Sequence, residues 1–470
     1  MYRAVFRRAI LTFVLCLPGR SGWAQDAVPS QGWTRGEREI FANSPVGSRL
    51  LPFAWFGALE AAGSEELVSA PERLARFGLL PSTPNGANPG GLPVGLSRER
   101  DRTDGLWLGM SCAACHVRGV SAEGQVTVVE GAGSLFDAGR FLRALRDALV
   151  ETERDPARFE RFAARLSVPD GERAALRARL VAVAARPQLA GGDAGPGRFD
   201  VQAALAGLAG EPAVPAPVRV PRLWGAFRLR QTLANGSGSG LGHGPLLRNV
   251  GQVLATGGTA EPSPDGSVTS SVSLPDLLKI EALLRRLDAP GWPAGFPPID
   301  PALAERGGAV FAQSCASCHA PPASGADGLV AVPVVEVGAV GTDGAAARVP
   351  PAGMALAAGA ARVPLPAGAG PGRPGYRALP LAGIWASAPF LHNGSVPNLV
   401  QLLTPPGQRV QRFGLSGRNY DPVAVGLPSE ANGEPMFETS APGNGNGGHA
   451  YGTDLPDADK RALVEFLKTL

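Results

Sequence analysis

The sequence predicts a mainly α-helical protein of two domains interrupted by long loops. Three observations carry that expectation. Apolar residues recur at helical spacing in several segments. The 470 residues include 63 Gly and 45 Pro, which punctuate the helical stretches with turns. A Cys/His motif occurs twice, about 200 residues apart. At 44% apolar and 18% charged, the chain is not charge-rich disorder. Five Cys are too few for a disulfide scaffold, and a net charge of +3 gives no basis for nucleic-acid binding.

Residues 1–24 read as a secretory signal peptide. Arg3, Arg7 and Arg8 form a basic start, Ala9 to Leu17 an apolar stretch, and Gly22 and Ala24 the small residues before a cut. The apolar run falls well short of the ~20 residues that span a bilayer, so no stable membrane anchor is expected. Removing this segment takes four arginines and no acid from the +3 and leaves −1. It also removes Cys16. The expected product is periplasmic or secreted.

The four remaining cysteines stand in identical frames, Cys112-Ala113-Ala114-Cys115-His116 and Cys315-Ala316-Ser317-Cys318-His319. Two thiols three residues apart lie on one helical face, where they can form thioethers to the vinyl groups of one haem. The adjacent His then supplies the iron's proximal nitrogen. The sequence therefore predicts two covalently bound haem c groups, with iron held at His116 and His319. Zinc or redox-disulfide readings of the same pairs account less well for the His that follows each one.

Each motif has helical company. Around the second, a helix over 301–313 presents Leu303, Ala304, Gly307, Val310 and Phe311. A terminal helix over 456–470 has Asp457 and Asp459 in its first turn and an apolar stripe of Ala462, Leu463, Phe466 and Leu467. These two are expected to cross at Gly307, with Phe311 on Phe466. Near the first motif, a helix over 137–150 turns Phe141, Leu142, Leu145 and Leu149 inward, and a second helical region follows over 156–185. The domain boundaries are read as 1–24, 25–295 and 296–470.

His243, His392 and His449, with Met110, Met354 and Met436, are the remaining candidates for sixth ligands. His449 lies in a Gly-rich loop just before the terminal helix, where backbone can approach a flat cofactor closely. It is the first candidate for the second haem, with His392 next, as ligand or as donor to the haem. His243 reads as a surface residue. Met354 falls in an Ala/Gly/Pro-rich stretch, 320–375, that reads as a surface insertion. The first haem has no evident sixth ligand.

Several runs resemble dihaem c-type cytochromes of the bacterial cytochrome c peroxidase superfamily, and within it the rubber-oxygenase-like branch. They are residues 91–96 (GLPVGL), Pro221-Arg222-Leu223-Trp224 with Asn235-Gly236, the stretch from Tyr376 to Pro397 that contains His392-Asn393-Gly394-Ser395, and Gly448 to Thr453 with the terminal helix. The resemblance implies two cytochrome c-like domains packed face to face, with little sheet. It implies a reactive first haem on His116, a six-coordinate second haem on His319 and His449, and Trp224 as an aromatic relay between them. Phe227 is a candidate pocket residue. The implied function is an oxidoreductase whose open first haem meets peroxide or O2, with an apolar organic molecule as a further candidate substrate and a periplasmic protein as electron partner. The alternative is a non-catalytic electron carrier with both irons six-coordinate.

Overall fold

The computed structural model describes residues 30–101, 105–122, 124–321, 323–365, 373–415 and 418–470. The signal-peptide reading over 1–24 lies outside the described residues.

The first CxxCH is suspended between two small sheets. Strand Gly105–Met110 pairs antiparallel with Leu96–Asp101 and with Leu51–Pro52. The single turn Ala113–His116 follows, and the chain leaves as the hairpin Val117–Ala122/Gln125–Glu130. The short apolar run Leu106-Trp107-Leu108 with Met110, buried from Trp107 on, was a signal of a buried strand that the helical reading passed over. The described residues form one three-stranded and six two-stranded sheets, all short.

A helical layer covers this half. Asp137 caps Ala138–Arg154 by accepting from the Arg140 amide, and Phe141, Leu142, Leu145 and Leu149 are buried as their spacing requires. The region after it divides into Pro156–Arg165, capped by Asp155, and Arg173–Ala184. The break runs from Leu166 to Pro169: Ser167 turns at φ +56, and the Pro169 ring cannot continue a helix.

In the second half, Pro301–Ser314 crosses Asp457–Lys468. Gly307 sits at the crossing: a Cβ there would lie 1.9 Å from the Ala462 carbonyl oxygen. Phe311 and Phe466 pack beside it with ring centroids 5.2 Å apart. Gly307→Ala is expected to force the helices apart and destabilise the protein by about 2–3 kcal/mol, read from chemical unfolding of the haem-loaded protein. Stability equal to the parent's would show that the crossing has slack.

The 320–375 stretch is not wholly a surface insertion. Its segment Met354–Ala361 is a helix with Ala357, Ala358, Ala360 and Ala361 buried, packed on Gly244–Ala255. Small side chains allow that close approach, and an all-Ala face has no amphipathic contrast to read. Met354 joins the main core there. That core is continuous through both halves, from Trp33 to Leu467. Trp292, Phe296, Trp385 and Tyr420 form an aromatic knot within it, with Trp292 and Trp385 centroids 5.7 Å apart.

Glu99, on Leu96–Asp101, is buried, and burial pushes its carboxyl up to about 7 against the opposing pull of Arg49. The folded state therefore holds a proton that the unfolded chain releases near pH 4.5. Stability from this group is full below that pH and falls as pH rises towards 7. Glu99→Gln should flatten the decline in unfolding free energy between pH 5 and 8; an unchanged slope would assign it to other groups.

Candidate haem sites

Both CxxCH motifs fold into the same turn. The His116 amide donates to the Cys112 carbonyl at 3.0 Å, and the His319 amide to the Cys315 carbonyl at 3.0 Å. None of these four cysteines is in a disulfide. Burial pushes Cys112 up to about 11 and Cys115 up to about 12, and also raises Cys315. Among the described residues, no three His, Cys, Asp or Glu side chains converge to hold an ion by themselves. A haem iron takes four nitrogens from its own ring and asks only axial ligands of the protein, so the donor set fits haem better than zinc.

His319 ends the turn Ala316–His319, which follows the Pro301–Ser314 helix directly. Its Nδ1–H donates to the Leu379 carbonyl at 2.9 Å, because a carbonyl can only accept. Nε2 is thereby left as the ligand nitrogen. The ring facing it is His449, with centroids 6.2 Å apart and planes at 43°. An iron bound to two imidazoles at about 2.0–2.1 Å each separates ring centres by roughly 6 Å. The spacing thus matches axial ligation of one iron from both sides. Burial holds His319 below its ordinary value and His449 down to about 4, so both are neutral donors at neutral pH.

The His449 loop is held by Arg409. Its guanidinium donates to the carbonyls of Asn446 at 2.7 Å, Gly448 at 2.9 Å, His449 at 3.1 Å and Leu402 at 3.1 Å, and Nε donates to Thr404 at 3.1 Å. His449 itself adopts φ +44, and its amide donates to the Val340 carbonyl at 2.7 Å. Gly448 admits no side chain, since a Cβ would lie 2.2 Å from the Gly341 carbonyl carbon. Sequence reasoning missed Arg409, because nothing local marks an isolated Arg as an internal brace.

His116 opens on a cavity of about 530 Å3 lined also by Met110, Cys112, Cys115, Trp224 and Phe227. Burial first, and then the charge of Arg248, push His116 down to about 4. His116 is the one imidazole among the lining residues, and Met110 the one thioether. His243 is exposed at the start of Gly244–Ala255. His392 stacks on Tyr376, with centroids 3.7 Å apart and planes at 14°, while its carbonyl accepts from the Arg219 amide. Met436 lies in the short strand Met436–Glu438.

Trp224 is buried against segments from both halves. Its indole N–H donates to the Glu130 carbonyl at 3.0 Å, and its ring lies close over the Cα of Gly383. Around it the cavity wall holds Arg219, Arg222, Arg248 and Arg377. Burial pulls all four below the usual guanidinium range, Arg222 to about 9 and Arg219 and Arg377 to about 10. None forms an ion pair among the described residues. Arg222 is buried and the other three half-buried, and Arg219, Arg222 and Arg377 donate to the Ser387, Pro380 and Gln231 carbonyls; their uncompensated charge fits carboxylates that would arrive with a cofactor. The two propionates of a haem have that charge. Scattered at positions 219 to 377, these arginines form no run that sequence could single out.

Residues 375–414 match the family described as RoxA-like, cytochrome c-like. That span contains the Leu379 carbonyl, Gly383, the aromatic Trp385, His392 and Arg409. A cytochrome c-like domain implies haem c, in keeping with the donor set above. No helix among the described residues is long and apolar enough to cross a membrane. The uncharacterized protein y4iJ of Sinorhizobium fredii is 30% identical, covering 94% of this chain and 92% of its own. A second protein of that organism, the uncharacterized protein y4iM, is 48% identical over 52 residues, 11% of this chain and 12% of its own. The chain belongs to the same family as y4iJ, and it carries within it a RoxA-like cytochrome c segment.

Proposed function

We propose that the protein is an exported two-haem c-type oxidoreductase in which the first haem reacts with O2 or peroxide and the second moves electrons. The observation that carries this reading is the contrast between the two sites. His319 has a second imidazole opposite it at 6.2 Å, whereas His116 faces a cavity whose lining offers no other imidazole. When bound, haem c would supply one-electron chemistry and, where a coordination position is open, binding of a small oxidant.

The chain's own part is positional. His116 and His319 present neutral nitrogens, and Leu379 orients the second of them. Arg219, Arg222, Arg248 and Arg377 would neutralise propionates. The apolar wall, including Leu277, Ile280 and Leu284, limits water around the first site. Trp224, wedged between Glu130 and Gly383, would serve as an aromatic relay between the two haems.

Optical and EPR spectra of the purified oxidised protein, titrated with cyanide, test the reading. One haem per chain should bind cyanide and the other remain low-spin. If neither binds, the electron-carrier alternative stands instead.

A further inference from the structure

The mouth of the first cavity carries charge that a haem does not absorb. Six arginines line the cavity: Arg219, Arg222, Arg228, Arg248, Arg285 and Arg377. Two carboxylates, Asp200 and Asp288, line it too. That leaves an excess of four positive charges. Two propionates would offset two of them, and the four less exposed arginines of the wall, Arg219, Arg222, Arg248 and Arg377, are the ones placed to meet them. Asp200 is further occupied by accepting from the Ala203 and Ala216 amides.

Arg228 and Arg285 are different from the other four. Both are exposed at the cavity edge, and neither has an acidic partner among the described residues. They come from separate segments, the turn Ala226–Arg228 and the end of Leu274–Leu284. Yet both converge on one half-buried ring, Phe227, at 5.4 and 5.5 Å from its centroid. A ring face attracts one cation well, but two guanidiniums about one ring also repel each other. An anion at this edge of the cavity would weaken that repulsion and accept hydrogen bonds from the guanidiniums. The same lining includes the apolar Leu229, Ile280, Leu284 and Leu287.

We propose that Arg228 and Arg285, set about Phe227, bind the carboxylate of an amphipathic organic acid whose apolar tail enters the first-haem cavity. This deepens the proposed function and rests on it, since it names the organic substrate class of the same site. The arrangement selects a chain-bearing acid over a neutral hydrocarbon of the same length.

The test uses the haem-loaded protein and three ligands with one ten-carbon tail: decanoate, 1-decanol and decyltrimethylammonium. Calorimetric titration at low ionic strength should show decanoate binding about tenfold more tightly than decanol, with the ammonium compound weakest. The double variant Arg228→Gln/Arg285→Gln should lose that preference and keep decanol binding. Arg285→Gln alone should lie between. Equal affinities for decanoate and decanol in the parent overturn the proposal, as does an undiminished preference in the double variant. Cyanide titration in parallel separates the two readings. Cyanide binding without decanoate preference sinks the acid site and leaves the open haem standing. Decanoate preference without cyanide binding keeps the carboxylate site and removes the open haem.

Discussion

Replacing His449 by Ala is expected to convert the second site into one that binds exogenous ligand. The imidazole facing His319 at 6.2 Å is then gone, and no other described His ring is paired with His319. Cyanide should titrate a second haem per chain, and the low-spin signal of the second site should be lost until ligand is added. His392→Ala should leave that signal in place, because the His392 ring is stacked on Tyr376. If His449→Ala leaves the second site low-spin and His392→Ala does not, the assignment of the two histidines is reversed.

Arg409→Ala should produce the largest loss of stability among single substitutions near the second site. The residue is 3% exposed and supplies the donors for five backbone carbonyls of two loops. Truncation leaves those acceptors without their partner, at a cost of about 3–5 kcal/mol. Chemical unfolding of the haem-loaded protein measures it. Arg409→Lys should recover only part, since an ammonium has three donors and no planar fork. A second readout is specific to position: loosening the 446–449 loop should raise cyanide binding at the second site, though less than His449→Ala does. Stability within about 0.5 kcal/mol of the parent would place Arg409 with ordinary surface residues.

Much of this protein was legible in order along the chain. The CxxCH frames carry their own geometry, because three-residue spacing on one helical turn needs no tertiary partner. The helices Ala138–Arg154, Pro301–Ser314 and Asp457–Lys468 announce themselves by apolar period, and the last by its acidic first turn. The period puts Gly307 on the apolar face, but only the structure shows that it meets Ala462. Met354–Ala361 was misread because buried Ala and exposed Ala look alike when no polar face contrasts with them. The strands around the first motif were passed over because a short apolar run interrupted by Gly109 and buried on both faces carries no two-residue period.

Sequence alone determined the two CxxCH frames and the local elements that present them: two pairs of thiols, each followed by a histidine, and the helices beside the second pair. Only the tertiary structure decided what faces each histidine. His319 and His449 are brought to either side of one position by a helix crossing, a Gly-rich loop and the Arg409 brace, and none of these is adjacent to the others along the chain. His116 is instead left facing a cavity whose arginines come from positions 219 to 377. The physical reason is one of range: spacing within a turn is encoded by neighbours, whereas axial partners and compensating charges act through space.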